Sequence, residues 1–215
     1  MKNLLYKELR LSLHPTNVLF FFFAALIFIP GYPYQMAAFF TCLGLNSLCV
    51  SGRENSDIFY TALLPARKGD IVRARFALTS LLQLGQMALM LPLIALRDAF
   101  IPLDNPAGLE ANPALIGLCL ITFGAFNFVF FTLYYKDPRK IGLPFIFGCI
   151  PVFLLISLEV AATYAIPFVR DKLDTRGLLF LPEKLSVLAV GAVFYFTLTL
   201  LACRKSVKSF EKLDL

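Results

Sequence analysis

Charge is scarce in this chain of 215 residues: 16% are Asp, Glu, Lys or Arg and 59% are hydrophobic. A soluble domain of this length is about a quarter charged, so an ordinary globular protein is excluded. Histidine is nearly absent, with His14 alone, and a metal hydrolase needs several ligands at close helical spacing. No zincin motif occurs, no G-x-S-x-G elbow, no C-x-x-C pair and no paired intramembrane carboxylates. Nor is there a G-x-x-x-x-G-K-[ST] phosphate loop, so the chain does not bind and hydrolyse ATP by that device. The constellations that catalysis requires are missing, and no enzyme, cofactor, metal site or nucleic-acid partner is expected of this polypeptide. Segments of alternating polarity, the mark of a membrane barrel, are also missing.

What is present is apolar sequence in long windows. Six stretches, 14–30, 34–50, 76–96, 114–135, 141–166 and 185–203, approach or exceed the roughly 20 residues that cross a bilayer as helix. They contain one charged residue, Glu159, and the other 33 charges lie outside them. The expected fold is all-α: a polytopic membrane protein with six transmembrane helices in a single domain over 1–215. The first two windows are separated only by Pro30-Gly31-Tyr32-Pro33, a turn composition. Counting Lys and Arg decides between two spans and one. Six spans with both termini cytoplasmic place 15 basic residues inside and 5 outside, whereas five spans invert the ratio.

Residues 1–13 show no secretory signal and no cleavage site. With Leu4, Leu5 and Leu9 beside Lys7, Glu8 and Arg10, they read as an interfacial helix. The five cysteines are expected to be reduced packing residues. The longest inner loop, 51–75, has the pattern of folded structure. Ser51 and Glu54 fit a capping box, and residues 54–64 put Ile58, Phe59, Ala62 and Leu63 on one helical face, ended by Pro65. Such a helix either lies on lipid headgroups with its basic residues beside phosphates, or docks a cytoplasmic partner.

The string from Glu54 to Arg75, above all Leu63-Leu64-Pro65-Ala66-Arg67-Lys68-Gly69-Asp70-Ile71-Val72, resembles a signature of the short type-2 ATP-binding-cassette (ABC) permeases. The opening Met1 to Glu8 is similar to theirs as well, and Gly69-Asp70 stands where a polar residue and Glu are commoner. The resemblance implies that 51–75 is the coupling segment fitting a groove in a separate cytoplasmic ABC ATPase subunit, which carries ATP and Mg. It also implies a second permease copy, identical or similar, and a bacterial cytoplasmic membrane location. Some small members of that family export amphipathic peptides such as phenol-soluble modulins. On this basis Ile58, Phe59, Tyr60 and Leu63 are expected to dock, and Glu54, Asp57, Arg67, Lys68 and Asp70 to orient. The turn 136–140 is a second contact or a basic lipid-facing loop. The segment 160–184 resembles the re-entrant helices that cap the fifth span in these permeases.

Within the spans each polar residue needs a reason. Gln83 and Gln86 share a helix face, and Asn127 follows Thr122 and Gly124 on the fourth span. Interhelical packing and a substrate path are both open for these three. Glu159 is a lone intramembrane carboxylate, functional by default, or else a boundary residue reaching outer water. The scarcity of polar groups beside 23 Phe and 8 Tyr suits an amphipathic peptide or lipid-like cargo, because a hydrophilic solute requires partners to replace its water. Two other classes stay open: a non-ABC six-span transporter or channel, for which no repeat or charge pair is visible, and a non-catalytic assembly or immunity subunit.

Overall fold

A computed structural model describes residues 2–12, 15–62, 66–101, 103–177 and 179–213. It contains α1 (Lys2–Lys7), continued as a π-helical turn (Glu8–Ser12), and α2 (Pro15–Phe22), continued as 3₁₀ helix (Phe23–Phe28). Then come α3 (Met36–Glu54), α4 (Asp57–Ala62), α5 (Lys68–Phe100), α6 (Pro113–Tyr134), α7 (Gly142–Ala165), a second π turn (Val169–Leu173) and α8 (Leu181–Glu211). No strand occurs among the described residues.

Helices α5 to α8 are long and apolar enough to cross a membrane. The first expected span differs: residues 15–28 rise about 24 Å at helical and 3₁₀ spacing, short of a ~30 Å core. Asn17 already lies level with Gly44 in the middle of α3, its amide oxygen 3.0 Å from where a Cβ on that glycine would sit. The segment therefore accompanies only the half of α3 nearest the 29–35 turn. Helices α5 and α8 instead overrun their expected windows, at 33 and 31 residues, or roughly 50 and 46 Å. They protrude together at the end holding the termini, where Lys68 Nζ donates to the Leu213 carbonyl at 2.6 Å.

The bundle is organised around α6, the one membrane-length helix that is buried on most of its surface. It meets α8 so closely that a Cβ on Gly191 would lie 2.2 Å from the Gly117 carbonyl oxygen, and one on Gly117 2.6 Å from that of Val187. Gly124 repeats the approach one heptad on, against Tyr195 and Phe194. Small residues allow such backbone contact where lipid offers no hydrophobic drive for association. Gly148 of α7 admits the ring of Phe126 and the Cβ of Phe130 in the same way. The outer faces of α7 and α8, with Ile146, Ile150, Leu154, Val193 and Leu200 exposed, are surfaces for lipid.

The expected capping box does not form. Ser51 lies inside α3, which runs to Glu54, so the carbonyls of the preceding turn already take the N–H groups that Ser51 was expected to cap. The break comes at Asn55-Ser56, with Ser56 at φ +51, and the helix restarts at Asp57 with that acid in its first turn, the favourable end of the helix dipole. Leu63, Leu64, Pro65 and His14 lie outside the described residues, as do the side chains of Ile58, Phe59 and Ala62.

Candidate functional site

Helix α4 has six residues, too few to persist alone, and it is fastened by charge. Asp57 Oδ1 lies 2.5 Å from Lys7 Nζ and Asp57 Oδ2 lies 2.8 Å from Arg75 Nη2. Arg75 Nε meets Glu8 Oε2 at 2.7 Å, and Lys7 Nζ also donates to Thr61 Oγ1 at 2.5 Å. Glu8 and Arg75 are buried. Two acids and two bases thus form a neutral cluster that binds α4 to α1, to its π turn and to the base of α5. Opposite charges balance the large cost of desolvating either sign alone.

The residues expected in the coupling segment divide into two groups. Asp57 faces inward into the cluster, Lys68 is used on the end of α8, and Asp70 pairs with Arg73 at 2.9 Å. Glu54, Tyr60 and Arg67 are exposed. Close by, Arg53 Nη1 donates to the Arg139 carbonyl at 3.4 Å, bringing the 136–140 turn beside the end of α3. There Asp137 accepts from the backbone and guanidinium of Arg139, which holds its carboxyl below the usual range. Lys7, Glu8 and Arg75 were not singled out from sequence. Glu8 and Arg75 lie 67 positions apart, and nothing local marks them as partners.

Deeper in the bundle the amides find one another. Gln83 and Asn127 exchange two hydrogen bonds of 2.9 Å; Asn127 also donates to Thr199 Oγ1 at 3.1 Å, and the Tyr195 hydroxyl donates to Gln83 Oε1 at 3.0 Å. Gln86 donates to the Ala37 carbonyl at 3.1 Å and accepts from Thr41. All three amides are fully buried, and together they tie α3, α5, α6 and α8. Glu159 lies apart from this layer. It is 6% exposed, and its Oε1 accepts the Leu109 N–H at 2.5 Å.

Glu159 belongs to a polar cap at the end opposite the termini. Arg97, 1% exposed, reaches Glu110 Oε2 at 2.7 Å, donates to the Leu103 carbonyl at 3.0 Å and lies over the Tyr34 ring at 5.0 Å. Asn105 joins the loop to the 29–35 turn by accepting from Gly31 N–H at 3.2 Å. Asn112 caps α6 through the N–H groups of Ala114 and Leu115, and donates to the Leu173 carbonyl at 2.7 Å. Asp174 accepts from Glu110 N–H at 2.8 Å, while its burial pushes its carboxyl up to about 6. Of this cap, Asn112-Pro113 carries a signal that the sequence reading did not use, Asn at N-cap followed by Pro at N1. The pairing of Arg97 with Glu110 has no signal in the sequence.

A family model described as ABC-2 family transporter protein matches residues 3–211. No curated protein and no solved structure matches. The match takes in all eight helices from α1 to α8 and both polar ends, and ABC-2 proteins are the membrane components of transporters whose ATPase is a partner. The chain therefore belongs to the ABC-2 transporter family, as a membrane permease component with apolar helices α5 to α8 of membrane-crossing length.

Proposed function

We propose that this chain is half of the membrane pathway of an ATP-driven exporter. Two copies, or one copy and a similar chain, form the pathway, and α4 docks a separate ATPase subunit at the cytoplasmic surface. In this reading both termini are cytoplasmic and the chain has six spans, with 1–13 as an interfacial helix before the first. The observation that carries the proposal is the fastening of α4. A six-residue helix projecting at a membrane surface needs rigid attachment if a partner's motion is to reach the spans. The cluster of Lys7, Glu8, Asp57 and Arg75 attaches it both to α1 and to the 33-residue α5. Displacement of α4 then moves the base of α5, and through Gln83 and Gln86 the movement reaches α6, α8 and α3.

The exposed Glu54, Tyr60 and Arg67, with Ile58, Phe59 and Leu63, are proposed as the docking surface, and Asp57, Lys68 and Asp70 as the residues that hold it in position. Charges at the edge of such a surface set register more than affinity. The cargo proposed is an amphipathic peptide or lipid-like compound entering from the inner leaflet, in the manner of phenol-soluble modulin exporters. Support comes from the few polar groups at depth. Gln83, Gln86 and Asn127 bridge the helices that must separate for passage, so their place in the path is as bonds that exchange during opening, and Glu159 lies further out to meet a cationic side chain.

The test is co-purification of the membrane-extracted chain with its ATPase. Phe59→Ala with Arg67→Glu is expected to leave insertion intact and to weaken association by about 1 to 3 kcal/mol for each change. Undiminished association and undiminished transport-linked hydrolysis would make α4 a lipid-facing helix.

A further inference from the structure

The described residues between α7 and α8 have two unlike faces. One is committed to the polar cap: the Leu173 carbonyl accepts from Asn112, Asp174 accepts the Glu110 N–H, and Arg176 Nη2 lies 2.7 Å from Asp104 Oδ1. Lys184 closes the same side, its ammonium donating to the Thr175 and Gly177 carbonyls at 2.6 and 3.1 Å. The other face carries Phe168, Leu179 and Phe180, all exposed. One cation holds two of these side chains. Lys172 Nζ lies 5.3 Å from the ring centre of Phe168 and 5.9 Å from that of Phe180, within cation–π reach of both. Glu183 Oε1, at 3.4 Å, balances its charge. Phe180 stands at φ +53, in the left-handed region that a bulky side chain rarely adopts and keeps only where its surroundings hold it.

Apolar side chains gathered and fixed on a surface mark a place of contact, and position along the bundle says with what. Helix α7 rises from the charged 136–140 turn and has 24 residues. Its length of roughly 36 Å exceeds a ~30 Å hydrocarbon core, so its last turn and the residues after it come to headgroup level. Tyr164 marks that level: the residue is exposed while its hydroxyl donates to the Pro106 carbonyl, the half-wet setting of an interfacial aromatic. From Tyr164 exposed apolar side chains continue through Ile166 to Phe168, and from Phe180 to Leu185 on α8. The face is thus continuous at both ends with the lipid surfaces of those helices. The two bases beside it are neutralised, Arg170 by Asp171 at 3.0 Å and Lys172 by Glu183. We infer that this face is an interfacial anchor in the leaflet at the end opposite the termini. Phe168, Leu179 and Phe180 seat between phospholipid headgroups and acyl chains, so that the stretch lies along the bilayer surface rather than re-entering the core, and the polar cap is pinned to that surface. The anchor needs neither an ATPase, a cargo nor a second copy, so it stands or falls separately from the export reading.

The chain contains no tryptophan, so Phe180→Trp and, as an independent variant, Leu179→Trp each place a single fluorophore in the full chain. Leu154→Trp, at an exposed position midway along α7, calibrates depth. Each variant is reconstituted in phosphatidylcholine nanodiscs, which leave both faces open to solvent, with bromine carried either near the headgroup end of the acyl chain or near its far end. Both loop variants are expected to emit at blue-shifted wavelength, to be quenched more by the shallow bromines than by the deep ones, and to be reached only weakly by aqueous iodide. Leu154→Trp should show the opposite order of quenching by the two lipids. Iodide quenching without bromolipid quenching would place the face in water, and protection from both would place it against protein. A depth profile equal to that of Leu154→Trp would place it in the core. Each of these three results would overturn the assignment.

Discussion

Arg75 lies one residue before the third apolar window and is almost wholly buried, with Glu8 and Asp57 both on its guanidinium. A charge so placed is stable only while its partners remain. Arg75→Met should destabilise the chain by about 3 to 5 kcal/mol, because Glu8 and Asp57 lose their shared guanidinium and buried Glu8 keeps only the longer ion pair to Lys7, at 3.4 Å. Adding Glu8→Gln should return part of that loss, and thermal unfolding in detergent of the single and double variants measures it. Equal losses in the single and double variants would show that the two side chains are not coupled. At the other end, Asp174 carries a pH dependence. Its carboxyl titrates at about 6 in the folded chain against an ordinary 3.8, so the folded state holds its proton more tightly. Stability of the cap should therefore be greater below about pH 4 and fall as pH rises through 6. Comparing thermal midpoints with those of Asp174→Asn across that range isolates the effect, and parallel profiles would refute it.

At the scale of elements, the seam between α6 and α8 has the least tolerance. A methyl at position 191 must overlap the Gly117 carbonyl, so Gly191→Ala should push the helices apart. The cost is expected at about 1 to 3 kcal/mol, the range for overpacking a close contact, and Gly142→Ala, where a Cβ meets nothing within 4 Å, is the control. Equal stability of the two variants would mean that the seam relaxes freely. α4 shows the contrary arrangement, a short helix with exposed Tyr60 and a single inward acid. Ion pairs from Asp57 tie it to α1 and to the base of α5, so the three are expected to move together.

For the whole molecule, the proposed topology is open to labelling. With Cys42, Cys49, Cys119, Cys149 and Cys203 replaced, single cysteines at the exposed positions Lys140 and Lys212 should resist impermeant thiol reagents in intact cells. Cysteines at the exposed positions Asp104 and Asp171 should react. Labelling of Lys212 from outside would invert the scheme. The proposed pairing of two permease chains predicts cross-linked dimers in native membranes, and monomer alone at all cross-linker lengths would count against it.

The lack of charge in long windows settled that this chain is a helical membrane protein, because a bilayer admits uncharged helix and little else. It also located α5 to α8, and the string from Glu54 to Arg75 pointed to the ABC-2 permeases. These properties are local: each depends on residues close together in the chain. What folding decided is which distant groups meet. Ser51 was expected to start a helix and instead continues α3, since a cap signal loses to the carbonyls of a turn already formed. Gln83 and Gln86 were legible as one face, but their partners Asn127, Tyr195 and Thr41 stand on three other helices. Lys7, Glu8, Asp57 and Arg75 are ordinary charges in sequence and one cluster in space. Gln35 and Glu159 lie 124 positions apart, yet Gln35 is tied to Thr122 of α6 and Glu159 of α7 to the Leu109 N–H just before α6. A sequence records which groups are costly to bury, and only the packing determines whether each one is given a partner.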